Sequence, residues 1–410
     1  NADNFLNFAS SLLGNPTSWT EPAPLLTAGL FWPGIEDPDL DVVRSGWQAG
    51  APVAAVTFYR ALMQSGNTEP VEALITALKK RGLNPLPIYV QSLKDSVSTG
   101  VVTTAFDAAT PDVILNTTGF AVSAPGADKA ETPFDSADCP VLQTVFAATT
   151  EQVWAEANSG LIARDIAMNV ALPEVDGRVL SRAVAFKSEA RFDEVTETAI
   201  VKHLPSLDRI DFVGDLAAAW ARLRRAHAGY RRIAVVLANY PNRDGRIGNG
   251  VGLDTPAGTI ELLRAMEAAG YCAKNLPADG NALIDRLLEG PTNTETKARR
   301  VEECLSLAEY QIFFSGLPKS VRDAVTGRWG SPEADPFYLE GETDCGALAI
   351  PAFRCGNIVI ALQPARGYNI DPEKSYHDPD LVPPHGYLAF YAWLRTKYRA
   401  DAVIHMGKHG

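Results

Sequence analysis

Short apolar runs alternate with helix-period segments along most of this chain, and that alternation points to folds in which helices cross between parallel strands. VAAVTF at 53–58 has the length and composition of a buried strand. After a loop, Val71, Leu74, Ile75 and Leu78 recur at i, i+3, i+4 and i+7, which is one face of a helix. Thr68 is placed to cap that helix, Glu69 and Pro70 fall in its first turn, and Gly82 can end it. PLPIYV at 85–90, a helical stretch around 94–107 and PDVILNTT at 111–118 continue the pattern. It returns later as IAVVLA at 233–238, the loop NYPNRDGRIGNGVGLD, Thr255 and Pro256, a helix carrying Leu262, Leu263, Met266 and Ala269, and Gly270 before a further expected strand.

The fold expected is α/β: two doubly wound, Rossmann-like or flavodoxin-like modules with mainly parallel sheets, preceded by an irregular N-terminal segment. That entry segment is 1–50, rich in Pro, Gly and Trp; the modules are 51–229 and 230–410, the second truncated at its C-terminus. The recurrence reads either as an internal duplication or as the coincidence of a very common α/β unit. DLAAAWARLRRAH at 215–227 reads as a helix, 188–212 is charged and weakly patterned, and SAPGADKAETPFDSAD at 123–138 reads as a surface loop.

Composition narrows the partners. Lys and Arg number 37 against 49 Asp and Glu, so the net charge of −12 works against non-specific binding of nucleic acid or anionic lipid. No apolar run approaches the roughly 18 residues that cross a bilayer. The five cysteines (Cys139, Cys272, Cys304, Cys345, Cys355) are odd in number and form no CxxC, which suits small buried hydrophobes in a reducing cytoplasm. The chain opens on NADNFLNF without Met and stops at HMGKHG, a segment that reads as a working loop, so a fragment of a longer protein is expected.

Ligands of open parallel sheets bind beyond the carboxyl ends of the strands. That rule selects Tyr59 and Arg60, Asn116 and Thr117, Asn239, Tyr240 and Asn242, and His405 after the last apolar run; as turn formers the earlier ones are explained equally well. The loop RDGRIGNGVGLD matches neither GxxxxGK[ST] nor GxGxxG, and its alternating glycines more simply make a flexible or tightly packed loop than a phosphate cradle. Any ATP would therefore bind another subunit. Four of the six histidines, His377, His385, His405 and His409, lie in the last 34 residues. Neutral imidazoles suit Co, Ni and Zn. His405 and His409 can converge on one ion only if Gly407 and Gly410 turn the chain; His377 and His385 stand equally well as loop-packing residues.

Long segments carry a family resemblance: PVAAVTFYRALMQSGNTEPVEALITALKKRGLNPLPIYVQSLKD, AMNVALPEVDGRVLSRAVAFK, RIAVVLANYPNRDGRIGNGVGLDTPAGTIELLRAMEAAGY, PARGYNIDPEKSYHDPDLVPPHGYLAFYAWL and DAVIHMGKHG. The chain resembles the large subunits of the cobaltochelatase and magnesium chelatase family over nearly its whole length. QSGNTEP and ALPEVDGR are closer to the cobalt branch. The resemblance implies an ATP-dependent ligase that inserts Co(II), its substrate metal, into the tetrapyrrole hydrogenobyrinic acid a,c-diamide. It implies as partners an AAA+ ATPase subunit, which holds ATP and Mg, and a third chelatase subunit. His405 and His409 become the expected catalytic and metal-handling residues, with His377 as a further metal ligand and Arg366, Asn369, His385 and Lys408 as tetrapyrrole contacts. The alternatives are magnesium insertion into protoporphyrin IX and a two-lobed ligand-binding module without catalysis.

Overall fold

The computed structural model describes residues 2–21, 26–239, 243–294, 296, 299–341, 346–367 and 380–407. The chain divides into two compact units, Asn1–Arg224 and Arg225–Gly410, so the division falls a few residues before Gly229 and the entry segment goes with the first unit. That segment is less irregular than its composition suggests. It holds the helices Ala2–Leu12 and Leu40–Arg44 and a short strand β1, Gly29–Leu30.

The first unit is built on a seven-stranded sheet of β1, β2 (Val53–Tyr59), β3 (Asn84–Val90), β4 (Val113–Asn116), β5 (Val141–Ala147), β6 (Val179–Asp193) and β7 (Thr198–Pro205). Their order is β1-β3-β2-β4-β5-β6-β7, parallel from β3 to β6 and antiparallel at both edges. The parallel strands thus follow the flavodoxin-type order 2-1-3-4-5, which reverses between β2 and β4. Side chains alternate across β2 as the pleat requires. Ala54, Val56 and Phe58 pack with Val71, Leu74 and Leu78 of the helix Glu69–Lys80 and with Ile210 and Val213 of Leu207–Arg225. Val53 and Ala55 face Val102 and Phe106 of the helix Ser96–Ala109. Burial on both faces explains why VAAVTF reads as continuously apolar.

Two local expectations change. Thr68 occupies the cap position, yet its hydroxyl donates to Glu72 Oε1 at 2.7 Å and gives the backbone no cap. Residues 188–212, weakly patterned in sequence, hold the outer half of β6, strand β7 and the start of a helix that begins at Leu207. The hairpin arm is largely exposed on both faces, so no alternation marks it.

The second unit has a four-stranded sheet of β8 (Ile233–Leu237), β14 (Ala352–Cys355), β15 (Ile358–Leu362) and β16 (Ala402–Met406), in the order β14-β15-β8-β16. β15, β8 and β16 are parallel; β14 is antiparallel. Helices cover both faces: Ile260, Leu263, Leu283 and Leu287 on one, Phe390 and Trp393 on the other. Between β8 and β14 lie a small hairpin, β9 (Asn249–Gly250) and β10 (Leu253–Asp254), and an antiparallel trio of β11 (Glu303–Ser306), β12 (Tyr338–Leu339) and β13 (Ala347–Ile350). After Gly270 no strand follows; the chain runs as coil into the helix Gly280–Glu289. The two units share a strand, loop and helix opening but not a sheet order, so coincidence explains the recurrence as well as duplication would.

Candidate functional site

β8 is the strand from which the second sheet grows in both directions, so the crevice outside its carboxyl end is a topological switch point. β16 brings His405 there, in register with Val236 of β8. Along β16 the half-buried Ala402, Ile404 and Met406 pack toward the layer holding Ile260 and Leu263, whereas Val403 and His405 are exposed on the other face. The imidazole is therefore presented to solvent from a rigid strand, one residue before it ends. At the end of β15, Gln363 N donates to Leu237 O at 2.9 Å. Asn293, itself buried, clamps the next turn by donating from Nδ2 to Gln363 O and accepting at Oδ1 from Ala365 N, both at 2.9 Å. Exposed Arg366 follows directly. The structure thus brings His405, on β16, and Arg366, four residues beyond the end of β15, to the same end of one sheet, with β8 between the two strands.

The glycine-rich loop follows β8. Gly248, in the left-handed region at φ +66°, donates to Ala238 O at 2.8 Å, and Arg299 pairs with Asp244 at 3.0 Å. Gly407 lies so close to β8 that a Cβ there would sit 2.6 Å from Ala238 Cβ. These glycines serve packing, the simpler of the two readings of the loop. Asn239, at the end of β8, is 4% exposed, and neither atom of its side-chain amide has a partner among the described residues.

His385 is corrected by its surroundings. It has no exposed surface; Nδ1 lies 2.7 Å from Tyr310 Oη and Nε2 3.0 Å from Gly330 O. A carbonyl can only accept, so Nε2 carries the proton and Nδ1 accepts from the tyrosine. With both nitrogens committed, His385 anchors the start of the helix His385–Ala392 rather than touching a tetrapyrrole. Burial raises the Tyr310 hydroxyl far above its ordinary value, so it stays a donor. His377, Asn369, Lys408 and His409, with Tyr240 and Asn242, lie outside the described residues, and among the described ones no group of three or more His, Cys, Asp or Glu could hold a metal ion.

The family description CobN/Magnesium Chelatase matches residues 1–410. The chain belongs to that family. The aerobic cobaltochelatase subunit CobN of Sinorhizobium sp is 52% identical over 420 residues, covering 100% of this chain and 32% of that protein. The Pseudomonas aeruginosa protein of the same description is 45% identical over 404 residues, 98% of this chain and 32% of its own length. Among solved structures, the catalytic subunit of cobaltochelatase from Mycobacterium tuberculosis matches with a TM-score of 0.80 at 33% identity, over 98% of this chain and 33% of that one. A magnesium-chelatase subunit of Rhodobacter capsulatus stands further off, at 26% identity over 381 residues, 88% of this chain and 31% of that protein. This chain spans about a third of the length of these relatives.

Within this CobN/magnesium chelatase chain, Asn116 and Thr117 at the end of β4 are structural. Asn116 is fully buried: Oδ1 accepts from Thr57 Oγ1 at 2.7 Å, and Nδ2 donates to Gln143 Oε1 at 2.8 Å. Thr117 donates back to Thr57 O at 3.0 Å. The described cysteines are all unpaired, and burial pushes the Cys139 thiol up to about 12 and that of Cys355 to about 11, which makes neither a ready thiolate ligand. Sequence reasoning missed Asn293 and the Gly407–Ala238 approach. Asn293 sits among turn-forming residues with no period, and nothing local marks the strand that Gly407 meets.

Proposed function

We propose that this chain is part of the large subunit of an ATP-dependent cobaltochelatase that inserts Co(II) into hydrogenobyrinic acid a,c-diamide in cobalamin biosynthesis. The full-chain identity of 52% to a cobaltochelatase subunit, against 26% to a magnesium-chelatase subunit, carries the choice of metal. ATP and Mg belong on an AAA+ partner, a third subunit completes the enzyme, and the setting is the cytoplasm; no described helix is long and apolar enough to cross a membrane.

The sheet edge suits this chemistry. Insertion requires the ion to lose water and the ring to lose its inner N–H protons. An exposed imidazole on a rigid strand offers a nitrogen that can replace one water and later release the ion, or accept a proton. His405 takes that role here, with His409 and His377 as the further ligands needed for a full set. Arg366 offers a planar fork for the acidic arms of the substrate, which is bidentate recognition of a carboxylate; Asn369 and Lys408 are further contacts for the ring. The test is His405→Ala in the full-length protein with its partners and ATP. Tetrapyrrole binding is retained and the rate of cobalt insertion falls by about 10- to 100-fold, the usual scale for losing one group around a metal. Insertion at the wild-type rate would remove His405 from the reaction, and a preference for magnesium and protoporphyrin IX in direct competition would reassign the metal.

A further inference from the structure

The first unit has a switch point of its own, which the chelatase reading leaves unused. Where the sheet order reverses between β2 and β4, a cavity of about 370 Å³ opens beyond the carboxyl ends of the strands. Its walls are Tyr59 after β2, the Ser92–Lys94 turn after β3, the stretch Thr118–Pro125 after β4, and Leu172 and Arg178. Three features set it apart from a gap between loops. Arg178 is buried, its side chain 1% exposed; Nη2 pairs with Asp176 at 2.7 Å and Nη1 donates to Phe120 O at 3.1 Å, but Nε–H has no partner among the described residues. A buried, unused guanidinium donor is costly unless something accepts from it. Phe120 is held in the left-handed region at φ +62° with its side chain 49% exposed, an arrangement that costs free energy and gains nothing in the core. The preceding Gly119 is pressed on a π-helical turn, Ala167–Ala171, where a Cβ would lie 2.8 Å from Asn169 Oδ1.

The lining chooses the ligand. Arg178 at the base and exposed Lys94 at the mouth are its cations, and no carboxylate among the described residues lines it; Asp176 is occupied by Arg178 and the N–H groups of Val122 and Ser123. Leu93, Phe120, Val122, Pro125 and Leu172 make the rest largely apolar. Nucleotide phosphates find no cradle: β2 runs straight into the helix Arg60–Gln64 without a glycine loop, and the N-terminus of Ser96–Ala109 is already capped by Asp95. The volume is at the small end for ligand pockets, room for a small ring system and a short acid chain rather than a tetrapyrrole.

We propose that this cavity binds a carboxylate attached to a small apolar body, with Lys94 receiving the acid at the mouth, the buried Arg178 acting from beneath the wall, and Phe120 and Leu172 covering the body. One acidic arm of a larger substrate and a free carboxylic acid present the same chemistry. The proposal stands apart from the reading of the His405 edge and fails or survives separately from it.

The experiment uses the full-length protein and 1-naphthylacetate, followed by calorimetry, with neutral 1-naphthylacetamide as the control. The acid binds at least about tenfold more tightly than the amide, the scale of one well-placed charge contact. Lys94→Glu, on an exposed side chain, removes most of that preference, and Leu172→Trp abolishes binding by filling the cavity. Displacement by hydrogenobyrinic acid a,c-diamide assigns the site to an acidic arm; binding without displacement assigns it to a free acid. Equal affinity for acid and amide, no binding of the acid, or a Lys94→Glu variant that keeps the full preference overturns the proposal.

Discussion

The two sheet edges solve the same problem in different ways. In the first unit the carboxyl ends of the strands are knitted together by side chains: Thr57, Asn116, Gln143 and Thr118 satisfy one another, and Asp176 and Arg178 form a buried pair beneath the loop. In the second unit Gly407 packs against Ala238, Gly248 turns the glycine-rich loop and Asn293 clamps the turn after β15, while His405 and Arg366 face solvent. The first network occupies Thr57, Asn116 and Gln143 with one another, whereas the second edge leaves His405 and Arg366 exposed. The difference accounts for why Asn116 and Thr117 are structural while His405 is a candidate for chemistry.

Breaking the network should therefore cost the first unit far more than any comparable change costs the second. Arg178→Met strands Asp176 without its counter-charge and should lower stability by about 3 to 5 kcal/mol, measured by denaturant unfolding with amide exchange resolved between the units. A loss below about 1 kcal/mol would mean the pair does not organise this edge. The pair also gives the unit an acid limit. Burial opposes ionisation of Asp176, but hydrogen bonds from Ser123 and Val122 and the charge of Arg178 outweigh it, so its carboxyl stays below the usual range. A depressed folded value means stability that is complete above the unfolded value of about 4 and lost as pH falls through the folded one. Acid unfolding of the first unit should accordingly begin below about pH 4, and at higher pH in Arg178→Met.

A smaller effect tests the second unit. Tyr310→Phe leaves His385 Nδ1 buried without its donor and should cost about 1 to 2 kcal/mol, read as a drop in thermal midpoint with no change in tetrapyrrole affinity. A large loss of affinity instead would return His385 to the substrate site. Smallest is Thr68→Ala, worth less than about 0.5 kcal/mol because the hydroxyl reaches Glu72 and not the helix backbone. A loss near 1 kcal/mol in chemical denaturation would show a cap that the geometry does not.

Much of the architecture was legible because its signals are local. VAAVTF, PLPIYV and IAVVLA announce themselves as strands buried on both faces, and Val71, Leu74 and Leu78 mark a helix by period alone. Sheet order was not legible, since what decides it is where the chain goes after each helix, and the coil after Gly270 looks like a strand approach until the antiparallel trio is seen. The site divided along the same line. The end of an apolar run located His405, but His385 resembled a loop ligand because its partner, Tyr310, lies 75 residues upstream. Arg178 stands in a stretch that carries family likeness but no local sign of the proposed binding role, which depends on Phe120, 58 residues upstream and met only in the folded unit.

Gly407 has a consequence for variation. With 2.6 Å between its imaginary Cβ and that of Ala238, no side chain at 407 can be accommodated by shrinking the neighbour short of a second glycine. Two positions far apart in the chain are thus locked as one word of small letters. A library randomised across 403–407 and selected for folding should recover wide freedom at the exposed 403 and 405 and almost none at 407. The imidazole position can drift and be retained only by its use, whereas the glycine beside it is retained by volume.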